Sequence, residues 1–274
     1  MVRVGLEPNQ VDELQKLPMD QLVAALRGRT GGAAPGPGGG GFQAAPVVDG
    51  RSLPASPFAP TAPSMSANVP MLIGSTETEV TWSVNTNYDP PDEAGLRTRV
   101  KESLRIEDDA EADRVIAIYR KGRPKASNLD LALIVETDAS NFRSGTDTQA
   151  ERKAALGKAA VYMYRFQWYS PVSGGRLRAM HCMDIPFVWN NVDLCRSVVG
   201  DGREPHALAG RMSGAWAAFA RTGNPNHKDL PNWQPFTADG RATMIFNNEC
   251  RAVNDPYREE RLAVTARQAV RTSA

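Results

Sequence analysis

One histidine stands where an enzyme would place a general base. His181 lies in the segment RAMHCMDIPFVW at residues 178–189, and Asp184 follows it three positions later. The segment comes after a strand-like run at residues 161–169 and a turn-rich stretch at residues 170–175. Enzymes built on parallel sheets carry reactive side chains on loops past the carboxyl ends of strands. His181 is therefore a candidate for proton-transfer chemistry, and the plain alternative is a loop histidine with a satisfied ring.

Two acidic residues follow a second strand-like run. The sequence VPMLIGS at residues 69–75 is apolar and closes with serine after a glycine, which is typical of a buried parallel strand. Glu77 and Glu79 come directly after it. Their position makes both carboxylates candidates for a site at the same edge of a sheet as His181. The alternative for both is a solvated turn.

The cysteines indicate neither a disulfide framework nor a zinc site. Their number is odd and they form no CxxC pair: Cys182, Cys195 and Cys250. Cys182 is adjacent to His181, but neighbouring residues of an extended segment point to opposite faces. We therefore do not expect Cys182 to be the nucleophile that this histidine serves.

The two remaining histidines are predicted to be surface residues. His206 follows a proline at a helix start, and His227 lies in a polar loop. No HxH or HxxxH spacing suggests that the three histidines converge on a metal ion. We expect neither a metal nor an organic cofactor.

Strands and helices that could position these residues are predicted along most of the chain. Strands are predicted at residues 69–75, 161–169 and 242–247. Two short helices separated at Pro18 are predicted within residues 9–26, and further helices at residues 92–105, 108–121, 148–158, 205–221 and 257–270. Asp92 and Asp108 are the predicted N-caps of two of them. The last helix alternates acidic and basic residues and is predicted to be solvated.

Composition bounds the function classes. The 274 residues are 41% hydrophobic and 23% charged, as in an ordinary globular protein. A net charge of +1 gives no electrostatic case for nucleic acid or an anionic membrane surface. We expect no membrane span and no signal peptide at residues 1–8. The glycine- and proline-rich stretch at about residues 30–45 predicts a flexible loop.

Several segments together resemble one family. They are PVVDG at residues 46–50, VPMLIGSTETE at 69–79, VYMYRF at 161–166, HCMDIPFVW at 181–189, WAAFARTGNP at 216–225, NWQPF at 232–236 and MIF at 244–246. Each is weak alone, but their shared order resembles the type-B carboxylesterases, the group that includes cholinesterases and bacterial para-nitrobenzyl esterases.

The resemblance implies an α/β-hydrolase fold and cleavage of small carboxylic esters by a serine, an acid and a histidine in that chain order. It assigns the acid to Glu79 and the histidine to His181. Val80 and Cys182 stand where the family has a glycine after each, while Asp184 occupies the position of a family acid. These departures concern the local backbone and leave both reacting groups in place.

The family nucleophile lies in Gly-x-Ser-x-Gly, a pattern that does not occur in the 274 residues. The resemblance therefore implies that residues 1–274 are the C-terminal portion of a type-B carboxylesterase domain, with an incomplete central sheet. We expect such a chain to be inactive alone.

Two other functions stay open. A separate polypeptide could supply the serine half of a two-chain hydrolase. The chain could also be a non-catalytic binding or adhesion module on the esterase fold, although its retention of both Glu79 and His181 favours the hydrolase.

Overall fold

The computed structural model describes residues 4–27, 46–81 and 91–273. The predicted flexible loop at residues 30–45 lies outside these ranges. The chain forms two compact units, residues 1–56 and 57–274. None of the helices in the described ranges is long and apolar enough to cross a membrane.

The first unit contains the two short helices predicted on either side of Pro18. One is a 3-10 helix, Val11–Lys16, and the other is α1, Met19–Arg27. Residues 46–50, one of the segments that resemble the family, join no strand ladder among the described residues. The Asp49 carboxylate instead accepts from the backbone N–H of Arg51 and of Leu53.

The second unit is built on an open four-stranded sheet. Its strands are β1 (Met71–Thr76), β2 (Val161–Phe166), β3 (Ala242–Phe246) and β4 (Arg251–Asn254), and they lie side by side in chain order. The first three strands are parallel and β4 is antiparallel to β3. The prediction of a parallel strand before the acidic pair is confirmed. Among the described residues β1 is an edge strand, in agreement with an incomplete sheet.

Helices fill the crossovers between the parallel strands, and a last helix follows β4. Their bounds are α2 Glu93–Leu104, α3 Asp109–Gly122, α4 Asn128–Ala139, α5 Asn141–Ala154, α6 Val172–Gly175, α7 Ile185–Val188, α8 Arg196–Val199, α9 Arg203–Thr222 and α10 Arg258–Ser273, with short 3-10 helices at Ser64–Ser66 and Val192–Cys195. The Asp92 and Asp108 side chains accept from backbone N–H groups of Gly95 and Ala110, so both predicted N-caps are confirmed.

Strand β2, with the sequence VYMYRF, is buried on both faces, and this burial includes Arg165. Tyr162, Tyr164 and Phe166 belong to the larger core cluster with residues of α9. Val161 and Met163 point to the other face, where they pack with α5. The alternation of side chains along one strand therefore ties two helical layers to the same sheet.

The last helix differs from its prediction. Glu260 and Val264 of α10 are buried, and Val264 joins the core formed by α2, α3 and α4. The alternating charges at residues 257–270 predicted a solvated helix, which is wrong for this face. The Glu260 carboxylate is buried because it pairs with Arg123 after α3, and no local pattern could reveal that partner.

Buried charges surround the segment that follows β1. The Glu77 carboxylate, 3% exposed, accepts from Arg123 Nε and Nη2 at 3.2 and 2.9 Å and from Gln167 Nε2 at 2.9 Å. Burial by itself would raise the Glu77 pKa, but Arg123, Arg165 and Arg143 outweigh it and lower the pKa to about 2. A solvated turn at Glu77 is therefore wrong.

Gly74→Ala tests the close approach of β1 and β2. An added Cβ would lie 2.3 Å from Cδ1 of Tyr164, the residue opposite Gly74 in the parallel ladder. We expect a loss of ~1–3 kcal/mol in the free energy of unfolding, measured in urea. Gly145→Ala is the control, because an added Cβ there meets no atom within 4 Å inside α5. It should stabilise by up to about 1 kcal/mol; equal effects at the two positions would contradict the close approach.

Glu77→Gln tests the buried charge cluster through pH. The folded pKa of about 2 lies below the usual 4.5, so ionised Glu77 stabilises the fold above pH 4.5 and this stability is lost as the pH falls toward 2. We expect Glu77→Gln to be less stable than the unmodified chain by on the order of 3 kcal/mol at pH 7, with the gap shrinking toward pH 3.

Urea unfolding between pH 7 and pH 3 measures this gap. The exposed Glu249→Gln is the matched control and should show a small, nearly constant difference. A gap for Glu77→Gln that stays constant over this range would contradict an ionised, charge-paired Glu77.

Candidate active site

The loop after β1 and the loop that carries His181 run side by side. The Thr78 N–H donates to the carbonyl of Ala179 at 3.2 Å, and the His181 N–H donates to the carbonyl of Thr81 at 3.1 Å. Thr78 and Met180 form a parallel bridge between these contacts. The two loops therefore continue the pairing of β1 and β2 beyond the sheet, which holds their side chains in a defined relation.

Glu79 and His181 meet across these loops. Glu79 Oε2 lies 2.6 Å from Nδ1 of His181, and Glu79 Oε1 accepts from the backbone N–H of Thr76 at 2.6 Å. The Glu79 side chain is 7% exposed and that of His181 is 29% exposed. A carboxylate on Nδ1 selects the tautomer that carries its proton there, and the basic lone pair is then on Nε2.

An aromatic ring packs against the imidazole. The ring of Phe142, at the start of α5, has its centroid 4.9 Å from that of His181 at an interplanar angle of 49°. Phe142 lies 39 positions before His181 in the chain, and its sequence context carries no signal for this contact. The helix start and the loop pairing together confine the imidazole.

The structure separates the two acidic candidates. Glu79 contacts His181, whereas Glu77 binds Arg123 and Gln167. Both carboxylates are buried, at 6% and 3% exposure. Their position after the strand alone does not distinguish two residues that are two apart, and the assignment of the acid to Glu79 rested on the family resemblance. Their side-chain partners differ in the structure.

Asp184 and Cys182 flank the histidine in a turn. Asp184 Oδ2 accepts from the Tyr164 hydroxyl at 2.7 Å. Burial raises the pKa of Asp184, partly offset by the Tyr164 hydrogen bond and the charge of His181. The expectation of an extended backbone at Cys182 is wrong, since its φ is +63°. Partial burial, Asp184 and Glu79 raise the Cys182 pKa, which disfavours the reactive thiolate.

The other histidines do not join this arrangement. His206 is exposed and donates from Nδ1 to the carbonyl of Gly202 at 2.6 Å. His227 is partly buried and donates from Nε2 to the carbonyl of Arg211 at 3.0 Å. Within residues 4–27, 46–81 and 91–273, no group of histidine, cysteine, aspartate and glutamate side chains could hold a metal ion.

The chemistry available at this site is proton transfer. A buried carboxylate that orients one ring nitrogen and stabilises the charged imidazole makes the other nitrogen an effective general base and acid. The backbone amide of Thr76 holds Glu79 in place beside the imidazole.

The sequence is similar to carboxylesterases over most of its length. The model of the carboxylesterase family matches residues 4–265. A para-nitrobenzyl esterase of Bacillus subtilis (strain 168) is 28% identical over 220 residues, which cover 79% of this chain and 42% of the relative. A phenmedipham hydrolase of Pseudarthrobacter oxydans is 27% identical, with coverage of 74% and 40%. The chain thus spans less than half the length of these relatives.

Comparisons of structure extend over nearly the whole chain. A carboxylesterase of Geobacillus stearothermophilus matches with a TM-score of 0.68 and 29% identity over 96% of this chain and 52% of its own. An esterase from Clostridium hathewayi matches with a TM-score of 0.70 at 23% identity, which bears on the fold alone; that match covers 97% of this chain and 50% of its own. The predicted α/β-hydrolase fold and the resemblance to type-B carboxylesterases are both confirmed. The chain belongs to the carboxylesterase family.

Proposed function

We propose that this chain carries the acid and the histidine of a serine carboxylesterase, with Glu79 and His181 as those two residues. The contact of 2.6 Å between Glu79 Oε2 and His181 Nδ1 is the observation that supports this most directly. Membership of the carboxylesterase family supports ester hydrolysis as the reaction. The substrate class is a small carboxylic ester.

In the proposed reaction, a serine hydroxyl attacks the ester carbonyl while His181 Nε2 takes its proton. The tetrahedral intermediate collapses, the bond to the alcohol oxygen breaks, and His181 returns the proton to that oxygen. Water then attacks the acyl-enzyme with His181 again acting as base. The bond between the acyl carbon and the serine oxygen breaks, His181 returns the proton to that oxygen, and the carboxylic acid is released. Glu79 keeps the Nδ1 proton in place and stabilises the imidazolium throughout.

We infer that the nucleophile comes from outside the 274 residues, because Gly-x-Ser-x-Gly does not occur among them. The family resemblance implies that the oxyanion donors lie upstream of that serine. They belong either to the same polypeptide beyond this sequence or to a second one. Even one missing oxyanion donor lowers the rate by about 10²–10³. We therefore infer that these residues alone hydrolyse esters no faster than the uncatalysed background.

A non-catalytic binding or adhesion module is the competing function. The burial of Glu79 weighs against it. Withdrawing a carboxylate from water costs free energy. Here the Glu79 carboxylate contacts a backbone amide and one imidazole nitrogen. Such an arrangement serves proton transfer, which a binding module does not require.

His181→Gln and Glu79→Gln test the proposal in the polypeptide completed with the coding sequence upstream of the Met1 codon. We expect hydrolysis of p-nitrophenyl acetate to fall at least ~10³-fold for His181→Gln and ~10²–10⁴-fold for Glu79→Gln, because each removes one member of the relay. His206→Gln is the matched control, since His206 is exposed and bonded elsewhere. It should retain the full rate.

Thermal melts separate lost chemistry from lost folding in these variants. A completed, folded polypeptide that neither hydrolyses the ester nor reacts with a fluorophosphonate would refute the esterase and favour the binding module. An upstream sequence without the serine motif, together with a second polypeptide that co-purifies and restores hydrolysis, would identify the two-chain form.

Cys182→Gly restores the glycine that the family has at this position and tests how much the strained backbone at Cys182 lowers the stability of the fold. Cys182 has φ +63°, a left-handed conformation that costs a side-chain-bearing residue about 1–2 kcal/mol and glycine much less. Relief of the backbone strain raises the free energy of unfolding, and the freedom that glycine gains in the unfolded chain lowers it. We expect a net rise of up to about 1 kcal/mol. Urea titration measures it. A clear loss of stability would show that the Cys182 side chain makes contacts that outweigh the backbone strain.

A further inference from the structure

The Tyr164 ring is immobilised at the centre of the sheet. It lies against Gly74 of β1, where an added Cβ would approach its Cδ1 to 2.3 Å. Trp216 packs on it edge-on with centroids 5.0 Å apart, and Phe246 does so at 5.9 Å. Tyr164 is 9% exposed. A ring held from three sides gives its hydroxyl a defined position.

That hydroxyl reaches the loop of the candidate histidine. Tyr164 donates to Asp184 Oδ2 at 2.7 Å, and Asp184 lies three residues after His181. Asp184 occupies the N-cap position of α7, where an aspartate usually accepts from the first turn of its own helix. Here its side chain makes no capping hydrogen bond. The carboxylate instead turns to Tyr164.

The Asp184 backbone is held as well. Its carbonyl accepts from the N–H groups of Phe187 and Val188 at 3.1 and 2.9 Å. Main chain and side chain are therefore tied to different elements, α7 and β2. Asp184 is therefore held in place three residues after His181, and Gly74 is held in place five residues before Glu79.

We propose that Tyr164 is a positioning residue for the Glu79–His181 pair. Its ring packs on the strand that leads to Glu79, and its hydroxyl holds the carboxylate that follows His181. The Tyr164 side chain thus contacts both the strand before Glu79 and the loop of His181, and it sets the distance between them. The consequence for catalysis rests on the proposed esterase function; the geometric role does not.

Removal of the hydroxyl leaves a carboxylate without its donor. Asp184 is partly buried and its pKa is raised by that burial. The first-turn amides of α7 already donate to the carbonyls of Cys182 and Asp184, so the deprived carboxylate recovers hydrogen bonds by turning to water, and that turn moves the loop. Displacements of about 1 Å at a proton-transfer site cost on the order of 10²-fold in rate.

The test is the hydrogen-bonded Nδ1 proton of His181, observed by NMR in the ¹⁵N-labelled full chain. A short hydrogen bond to a carboxylate shifts this proton to low field and slows its exchange with water. His181→Gln assigns the signal. The readout requires no ester hydrolysis, so its failure is distinguishable from failure of the proposed function.

Three variants decide the role. Tyr164→Phe removes only the hydroxyl, and we expect the proton to vanish or to exchange at least ~10-fold faster, following the lost hydrogen bond. Tyr162→Phe is the matched control: Tyr162 is buried on the same face of β2, and its hydroxyl makes no hydrogen bond among the described residues. Asp184→Asn keeps an oxygen that accepts from Tyr164 and should preserve the signal.

Asp184→Ala removes the acceptor of the same hydrogen bond. It therefore provides a second test if Tyr164→Phe fails to fold. It should reproduce the loss of the proton. An unchanged signal in folded Tyr164→Phe or Asp184→Ala would overturn the proposal. A lost signal in Asp184→Asn would also overturn it, because the charge of Asp184 and not its position would then matter. In the completed enzyme, Tyr164→Phe should lower kcat with little change in KM.

Discussion

The parallel pairing of β1 with β2 is the constraint on which this structure depends. It aligns the carboxyl ends of the two strands, so that the segments after them leave the sheet together. The pairing continues past the sheet through the bridge between Thr78 and Met180. Glu79 and His181, 102 positions apart in the chain, meet because the strands before them are hydrogen-bonded neighbours.

Polar anchors lie on both sides of this pairing. On one side Glu77 is buried with Arg123 and Arg143 approaches from α5, donating to the carbonyls of Thr76 and Glu77. On the other side Tyr164 holds Asp184. Buried ion pairs contribute little net stability compared with well-packed apolar groups, but breaking one is costly. Such contacts add little to the stability of a core, but they hold a loop in one conformation because leaving it would break them.

Much of the framework could be read from local pattern. The parallel strand before the acids, both N-caps and the helix of Leu208 and Met212 follow from apolar period and capping residues, because short-range geometry decides them. The partner of each buried charge could not be read in this way. Glu77 and Glu79 share the same local context, and Glu260 lies in a pattern typical of a solvated helix. Glu77 and Glu260 are buried against Arg123, which is 46 and 137 positions away from them in the chain.

The sequence by itself determined the α/β class, the family resemblance and the candidates Glu79 and His181, since these rest on periodicity and on ordered motifs. Only the tertiary structure decided that Glu79 rather than Glu77 faces the imidazole, that Phe142 packs on it, and that Tyr164 holds Asp184. The physical reason is the distance along the chain over which each interaction acts. Apolar period and capping act within a few residues, whereas the direction of a buried carboxylate is set by donors that only the folded sheet brings together.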